Sequence, residues 1–319
     1  MGDLPRRTLG DSGIEVPIVG IGCNNFGGRT DAEGSERVIL AALDEGVGFF
    51  DTADIYSRGR SEEILGRSLG PRRDEAVIAT KFGGSMGSPE RSGGSRRWIA
   101  RAVEDSLRRL QTDRIDLYQH HFFDEATPLE ETVGALDELV RAGKVRAIGC
   151  SNYSGAQIER ANAIATERGW ARFVTAQNEY SLLKRDDVES SVTPICIRLG
   201  ISILPFFPLF SGLLTGKYRR GEAPLAGTRL GRDSARAHDL MTDANFDIVE
   251  ALERFARDRG VALIDIAIGA LAAKPQVVSV IAGATTPEQV GANARAGRWM
   301  PTSADLVEID RITKPPAVA

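Results

Sequence analysis

The chain has 319 residues, 42% apolar and 26% charged, with 40 Lys and Arg against 44 Asp and Glu. That balance suits a globular protein with ample core material, and length alone admits one large domain or two. A net charge of −4, with no block of like charges, excludes an electrostatic case for nucleic acid or anionic membrane and leaves small molecules as expected partners. Cys23, Cys150 and Cys196 are odd in number and lack C-x-x-C spacing, which argues against a disulfide framework or a zinc site and points to a reducing cytoplasm. The start, MGDLPRRTLG, has no apolar targeting run, and Arg6 stands where a myristoylation signal wants Ser or Thr. The apolar stretch ISILPFFPLF (201–210) is too short to span a bilayer and carries two prolines.

In chain order, RRTLGDSGIEV reads as a small hairpin around a glycine turn. Eight short apolar runs follow: VPIVGIG (16–22), VGFF (47–50), AVIAT (76–80), RIDLYQ (114–119), VRAIG (145–149), FVTAQ (173–177), ISILPF (201–206) and VVSVI (277–281). They are continuously apolar rather than alternating, as expected of parallel strands covered on both faces. Helical patterns lie between them. After the fourth run, Thr127 reads as N-cap, Pro128 as the first helical residue and Glu130 as its capping partner, with Leu129, Val133, Leu136 and Val140 on one stripe and Gly143 as the stop. Ser154 with Gln157, and Thr286-Pro287 with Gln289, repeat the capping pattern. The connection 207–276 is long; it holds an Arg- and Gly-rich loop (217–235), a candidate lid, and helical patterns at 244–258 and 263–273.

Alternating strands and helices leave a closed barrel or an open doubly wound sheet, and polar motifs after at least six of the eight runs favour the barrel, whose strand ends share one mouth. The expected fold is therefore an α/β (β/α)8 TIM barrel, a single domain over 1–319, with an N-terminal β-hairpin and a helical insertion between strands seven and eight. GIGCNNFG (20–27) is not a dinucleotide fingerprint, GLLTGKY (212–218) lacks Walker spacing, and GCSNY (149–153) is not a nucleophile elbow.

The polar residues at the run ends carry the chemistry. Asp51 follows the second run, Lys81 the third, and His120 and His121 the fourth, with Tyr56 five residues past Asp51. An ammonium after a buried strand needs a partner, and Asp51 is the neighbouring carboxylate. An ammonium near Tyr56 would favour its phenolate; two pKa units need roughly 2.7 kcal/mol, within the roughly 4 kcal/mol between unit charges 4 Å apart at an effective dielectric of 20. Adjacent strand residues point to opposite sides, so one histidine faces the mouth; with both faces of the strand buried, parity leaves open which. Loop position near the mouth makes Asn24, Asn25, Phe26, Trp98, His120 and Phe123 candidates for substrate contact, and Trp299 in the tail either reaches the site or pins the terminus.

Taken together, DTADIY with GRSEEILG, ATKFGG, IDLYQHH, AGKVRAIGCSNYS, QNEYSLL and PLFSGLLTGKY resemble the serial motifs of the aldo-keto reductase superfamily, in order and over nearly the whole chain. The resemblance implies a (β/α)8 barrel that interconverts carbonyls and alcohols with a nicotinamide cofactor and no metal. It implies a catalytic tetrad of Asp51, Tyr56, Lys81 and His121. It implies further that Ser151, Asn152 and Gln177 hold the carboxamide, Phe206 stacks on the ring, and Leu209 and Ser211 cradle the pyrophosphate. Gly22 and the segment Gly283, Thr285, Gln289 and Asn293 complete the implied cofactor contacts. Gly283, Thr285 and Gln289 stand where many relatives carry basic residues against a 2′-phosphate, so NADP(H) is favoured with NAD(H) open, and Arg219, Arg220 or Arg229 from the long loop are candidates for the missing charge. The alternative is a nicotinamide-binding, redox-sensing subunit with little turnover, as in potassium-channel β subunits of the superfamily. Substrate, oligomeric state and direction of flux are not legible.

Overall fold

The computed structural model describes residues 3–314. Two short strands, β1 (Arg6–Thr8) and β2 (Glu15–Pro17), pair antiparallel as the expected hairpin. Eight parallel strands follow: β3 (Val19–Gly22), β4 (Phe49–Asp51), β5 (Val77–Phe82), β6 (Ile115–His120), β7 (Val145–Ser151), β8 (Phe173–Gln177), β9 (Ser202–Ile203) and β10 (Val280–Gly283). Their order is β10-β3-β4-β5-β6-β7-β8-β9. Parallel bridges between Ile203 and Val277 and between Phe206 and Ile281, with Ile281 N–H donating to the Pro205 carbonyl (2.9 Å), join the two ends. The sheet thus closes into the barrel.

Three boundaries differ from the sequence reading. The first run divides, because Pro17 has no N–H to continue a ladder: residues up to Pro17 belong to the hairpin, and the barrel strand starts at Val19. The seventh strand shortens to Ser202–Ile203, since Pro205 cannot donate and the chain turns toward the barrel mouth. The helix Leu129–Arg141 begins one residue late, with Pro128 rather than Thr127 at the cap, because the Thr127 hydroxyl is committed to Asp124 (2.6 Å). Ser154 and Gln157 do form the full capping box of helix Gly155–Arg168.

Side-chain parity builds the interior. Phe49, Ala79, Leu117 and Ala147 belong to one buried cluster with Leu9, Ile14 and Val16, so the hairpin plugs the barrel floor. Two residues further along each of the first three strands stand Asp51, Lys81 and Gln119; with a period of two they occupy the same interior, one layer higher. Gly149 leaves room in that layer, where a Cβ would come within 2.0 Å of the Thr175 hydroxyl.

The insertion between β9 and β10 is an ordered layer. Helices Asp243–Asp258 and Leu263–Ala272 match the expected patterns, and a further short helix, Ser234–Leu240, lies at the end of the Arg-rich loop. Phe210, Leu214, Tyr218, Leu230, Phe246, Leu252 and Ile266 share its core. Trp299 packs against Gly269 in this layer and pins the C-terminal segment rather than reaching the mouth.

Candidate active site

At the carboxyl end of the barrel, Lys81 Nζ donates to Asp51 Oδ2 (2.7 Å), to the Thr52 carbonyl (2.8 Å) and to the Tyr56 hydroxyl (3.3 Å). The ion pair is almost wholly enclosed, with side chains 1% and 4% exposed. Such a pair persists only if its remaining hydrogen-bonding capacity is met. Asp51 Oδ1 accepts from Gln177 (2.9 Å) and more distantly from Gln119 (3.4 Å), whose own carbonyl takes the Thr175 hydroxyl (3.3 Å). The three donors to Asp51 come from β5, β6 and β8, so the barrel interior brings them to one carboxylate.

Burial tends to strip the proton from Lys81, but Asp51 and Tyr56 outweigh it, and the ammonium is held above its ordinary pKa. For Tyr56 the net direction is upward, which corrects the expectation that its partners lower it. Burial is the largest influence, Lys81 opposes it, and Asp51 reinforces it. Tyr56 therefore rests as a phenol with a proton to give.

The structure settles the histidine question. His121 continues the parity of Leu117 and Gln119, lines the pocket and sets its ring edge-on to Tyr56, 5.9 Å between centroids. Its backbone N–H binds the Phe82 carbonyl (2.8 Å), and the Asn152 amide binds its carbonyl (3.0 Å). Burial, then Lys81 and His120, depress its pKa to about 2, so the imidazole is neutral. His120 faces the surrounding helices instead: it stacks on Phe82 (4.8 Å) and its Nδ1 meets the Tyr153 hydroxyl (2.8 Å).

A cavity of about 680 Å³ opens above this cluster. Of the expected cofactor contacts, Gly22, Ser151, Asn152, Gln177, Phe206, Leu209, Ser211, Gly283, Thr285, Gln289 and Asn293 all line it. So do Asp51, Tyr56, His121, Asn24 and Asn25, while Lys81 acts from behind Tyr56. Phe26, Trp98, His120 and Phe123 do not line it; they sit in or against the packed layer between strands and helices. Gln289 turns its carbonyl back onto the Thr285 N–H (2.8 Å), and Asn293 lies buried beside Gly283.

Sequence reasoning missed part of the wall. Phe122, 44% exposed, stacks parallel on His121 at 4.3 Å, and Ile55, Phe207, Arg29 and Lys217 also face the cavity. The loop arginines separate by partner. Arg219 pairs with Glu253, and Arg220 with Asp243, Asp247 and Glu250, so neither is free for a ligand. Arg229 has no carboxylate partner among the described residues; it is half-buried over the Phe207 ring (4.6 Å), across from Arg236 on the same ring (5.1 Å). Burial, then Arg29 and Arg236, push its pKa down. Three cations of the wall, Arg29, Lys217 and Arg229, thus have no carboxylate partner among the described residues. The bend Phe210–Ser211–Gly212 beside them has all three residues at positive φ.

Residues 18–314 match the Aldo/keto reductase family. The chain belongs to that family. A probable voltage-gated potassium channel subunit beta of Oryza sativa subsp. japonica is 36% identical, covering 92% of this chain and 91% of that protein. Aldo-keto reductase YhdN of Bacillus subtilis is 34% identical (97% and 93%), and the L-glyceraldehyde 3-phosphate reductase of Escherichia coli K12 32% (97% and 92%). This aldo-keto reductase is accordingly an NAD(P)H-dependent oxidoreductase working between carbonyls and alcohols. Among its described residues, no cluster of three His, Cys, Asp or Glu is arranged to hold a metal ion, and no helix is long and apolar enough to cross a membrane.

Proposed function

We propose that this aldo-keto reductase reduces an aldehyde or ketone by hydride transfer, with Tyr56 as the proton donor, and that NADP(H) is its preferred cofactor. The observation that carries the reading is the Tyr56 hydroxyl, 3.3 Å from an ion-paired, buried ammonium in the wall of a cavity whose lining cations have no carboxylate partner among the described residues. The donor set suits an anionic dinucleotide: Arg29, Lys217 and Arg229 supply charge, and the positive-φ bend at Ser211 and Gly212 lines the same cavity. Ser151, Asn152 and Gln177 would hold the amide end and Phe206 the flat face; the Gln177 side-chain oxygen has no partner among the described residues while its N–H₂ holds Asp51. When bound, the nicotinamide supplies or accepts the hydride.

The chain's own residues move the proton. Tyr56 gives its hydroxyl proton to the carbonyl oxygen as negative charge develops there, and the phenolate that remains is stabilised by Lys81. Asp51 keeps Lys81 charged and in place. His121, neutral and with its backbone carbonyl held by Asn152, orients the carbonyl by a hydrogen bond without competing for the proton. Phe122 and Ile55 line the approach and exclude water.

The channel-subunit name of the rice relative favours a second reading, a nicotinamide-binding sensor with slow turnover. One experiment separates them: NADPH and NADH titrated side by side by fluorescence, followed by turnover of 4-nitrobenzaldehyde. Sustained turnover, with NADPH bound more tightly, is the expected result. Tight binding with negligible turnover would favour the sensor, and binding of neither dinucleotide would sink both.

A further inference from the structure

The turn that carries Tyr56 is strained. Ser57 and Arg58 both adopt left-handed backbone (φ 49° and 58°), followed by Gly59 at φ 90°. Two consecutive non-glycine residues in that region persist only where the surroundings over-determine them. One restraint is visible at the top of the turn, where the Ser57 hydroxyl donates to the Phe26 carbonyl (2.8 Å).

The other restraints come from beneath. Helix Arg60–Leu69, which begins at the end of the turn, puts Ser61 and Glu62 in its first turn. Ser61 ties to Thr52 (2.9 Å) and to the Cys23 carbonyl (2.9 Å). Glu62, fully enclosed, accepts from the Thr80 hydroxyl (2.6 Å) with one oxygen and from Arg109 Nε (2.6 Å) with the other. Thr80 immediately precedes Lys81. Arg109 reaches up from helix Arg96–Leu110, and its side chain fills the space beside Gly59: a Cβ there would lie 2.8 Å from Arg109 Cδ. The Glu62–Arg109 pair therefore touches the strand that holds the ammonium and the turn that holds the phenol. It has no contact with the cavity.

We infer that the buried Glu62–Arg109 pair, with Thr80, is a positioning device that sets the Tyr56–Lys81 separation and so the acidity of the proton donor. The inference rests on the proposed role of Tyr56. Glu62 and Arg109 are positioning residues: they act through the turn and through β5, not on substrate. The charged and titratable groups around the guanidinium are Glu62, Asp54 and Asp105, with the Tyr118 phenol also facing Glu62 and Asp54. Those facing Tyr56 itself are Lys81, Asp51 and Cys23, with Arg229 across the cavity wall and the His121 ring at its edge.

The test uses the full-length protein and two variants. The double variant Glu62→Met/Arg109→Met removes both charges at similar volume, an exchange that buried ion pairs commonly tolerate. Thr80→Val removes only the link to β5 and covers the case in which the double variant does not fold. Each is measured for Tm, KM for NADPH, kcat and the pH profile of kcat in the reduction direction. We expect a folded double variant with KM for NADPH within about threefold of the parent, kcat lower by about tenfold or more, and the basic limb of the profile displaced upward as the ammonium's hold on the phenol loosens. Thr80→Val should show the same displacement with a kcat loss of about threefold. Parental kcat and an unmoved basic limb in a folded variant would overturn the inference, as would a kcat loss with the limb unmoved. Tyr56→Phe, run in parallel, keeps the two claims apart: full activity there defeats the role of Tyr56, whereas an inactive Tyr56→Phe beside parental behaviour of the other variants defeats only the positioning device.

Discussion

Replacing Lys81 with Met removes the ammonium hydrogen-bonded to Tyr56 and leaves Asp51 buried beside it. Two separable effects follow. Leaving a buried carboxylate without its partner costs about 3–5 kcal/mol, softened here by the amides of Gln177 and Gln119 and by protonation of Asp51 itself. The chemical effect is larger in consequence. Unit charges at the observed 3.3 Å interact by about 5 kcal/mol at an effective dielectric of 20, so phenolate formation becomes harder by roughly three to four pKa units at ~1.36 kcal/mol each. The assay is alcohol oxidation at pH 8, where Tyr56 acts as base and the phenolate fraction sets the rate. Lys81→Met should lower kcat by about three orders of magnitude, with KM for NADP within about threefold. Asp51→Asn added to Lys81→Met should restore much of the lost Tm and none of the lost rate. A folded Lys81→Met protein retaining more than about a tenth of parental kcat would refute the electrostatic argument.

Three further outcomes follow from the same geometry. Arg229→Ala, which removes the half-buried, unpartnered guanidinium from the cavity wall, should raise KM for NADPH by about tenfold and for NADH much less; equal effects on both would remove Arg229 from phosphate recognition. His120 and His121 are held neutral in the fold, titrating only at about 4 and about 2, so the unfolded chain takes up protons first as pH falls below the ordinary imidazole value of ~6.5. Stability is fully present above that value and should fall with acidification by up to ~1.4 kcal/mol per pH unit for each histidine; a denaturation free energy in His120→Asn/His121→Asn as steep in pH as the parent's between ~6 and ~4 would contradict this. Asp54 has the opposite sign: burial, then Glu62, raises its carboxyl to about 8. Its unfolded form ionises near ~3.9, so stability is lost as pH rises from there toward 8, and Asp54→Asn should raise Tm at pH 7.5 but little at pH 4.

The barrel and the polar cluster at its mouth were legible because both follow from short-period rules. Continuous apolar runs gave the strands, and polar residues just past them gave Asp51, Lys81 and the histidine pair. Strand parity decides between the histidines once the register is known: Lys81 opposes Gln119 and Phe82 opposes His120, so His121 shares the interior side with Lys81. Sequence alone lacked that register. The substrate candidates Phe26, Trp98, His120 and Phe123 were placed by loop position, which does not fix side-chain direction. Trp98, in the first turn of a helix capped by Ser95, has its ring buried in the core between strands and helices. Arg29, Lys217 and Phe207 escaped notice because the loops that carry them have no periodicity, and their place in the wall depends on how the insertion folds over the mouth. The net direction of the Tyr56 shift was misjudged for a related reason: the charge of Lys81 was readable, but the degree of burial was not.

The most direct test is a single-turnover measurement on Tyr56→Phe, which deletes one oxygen and leaves Lys81, Asp51 and the cavity wall in place. Pre-bound NADPH should quench protein fluorescence as in the parent while hydride transfer to an aldehyde becomes undetectable or slower by about a thousandfold or more. Hydride transfer at the parental rate, with NADPH bound, would contradict the assignment of the proton to Tyr56.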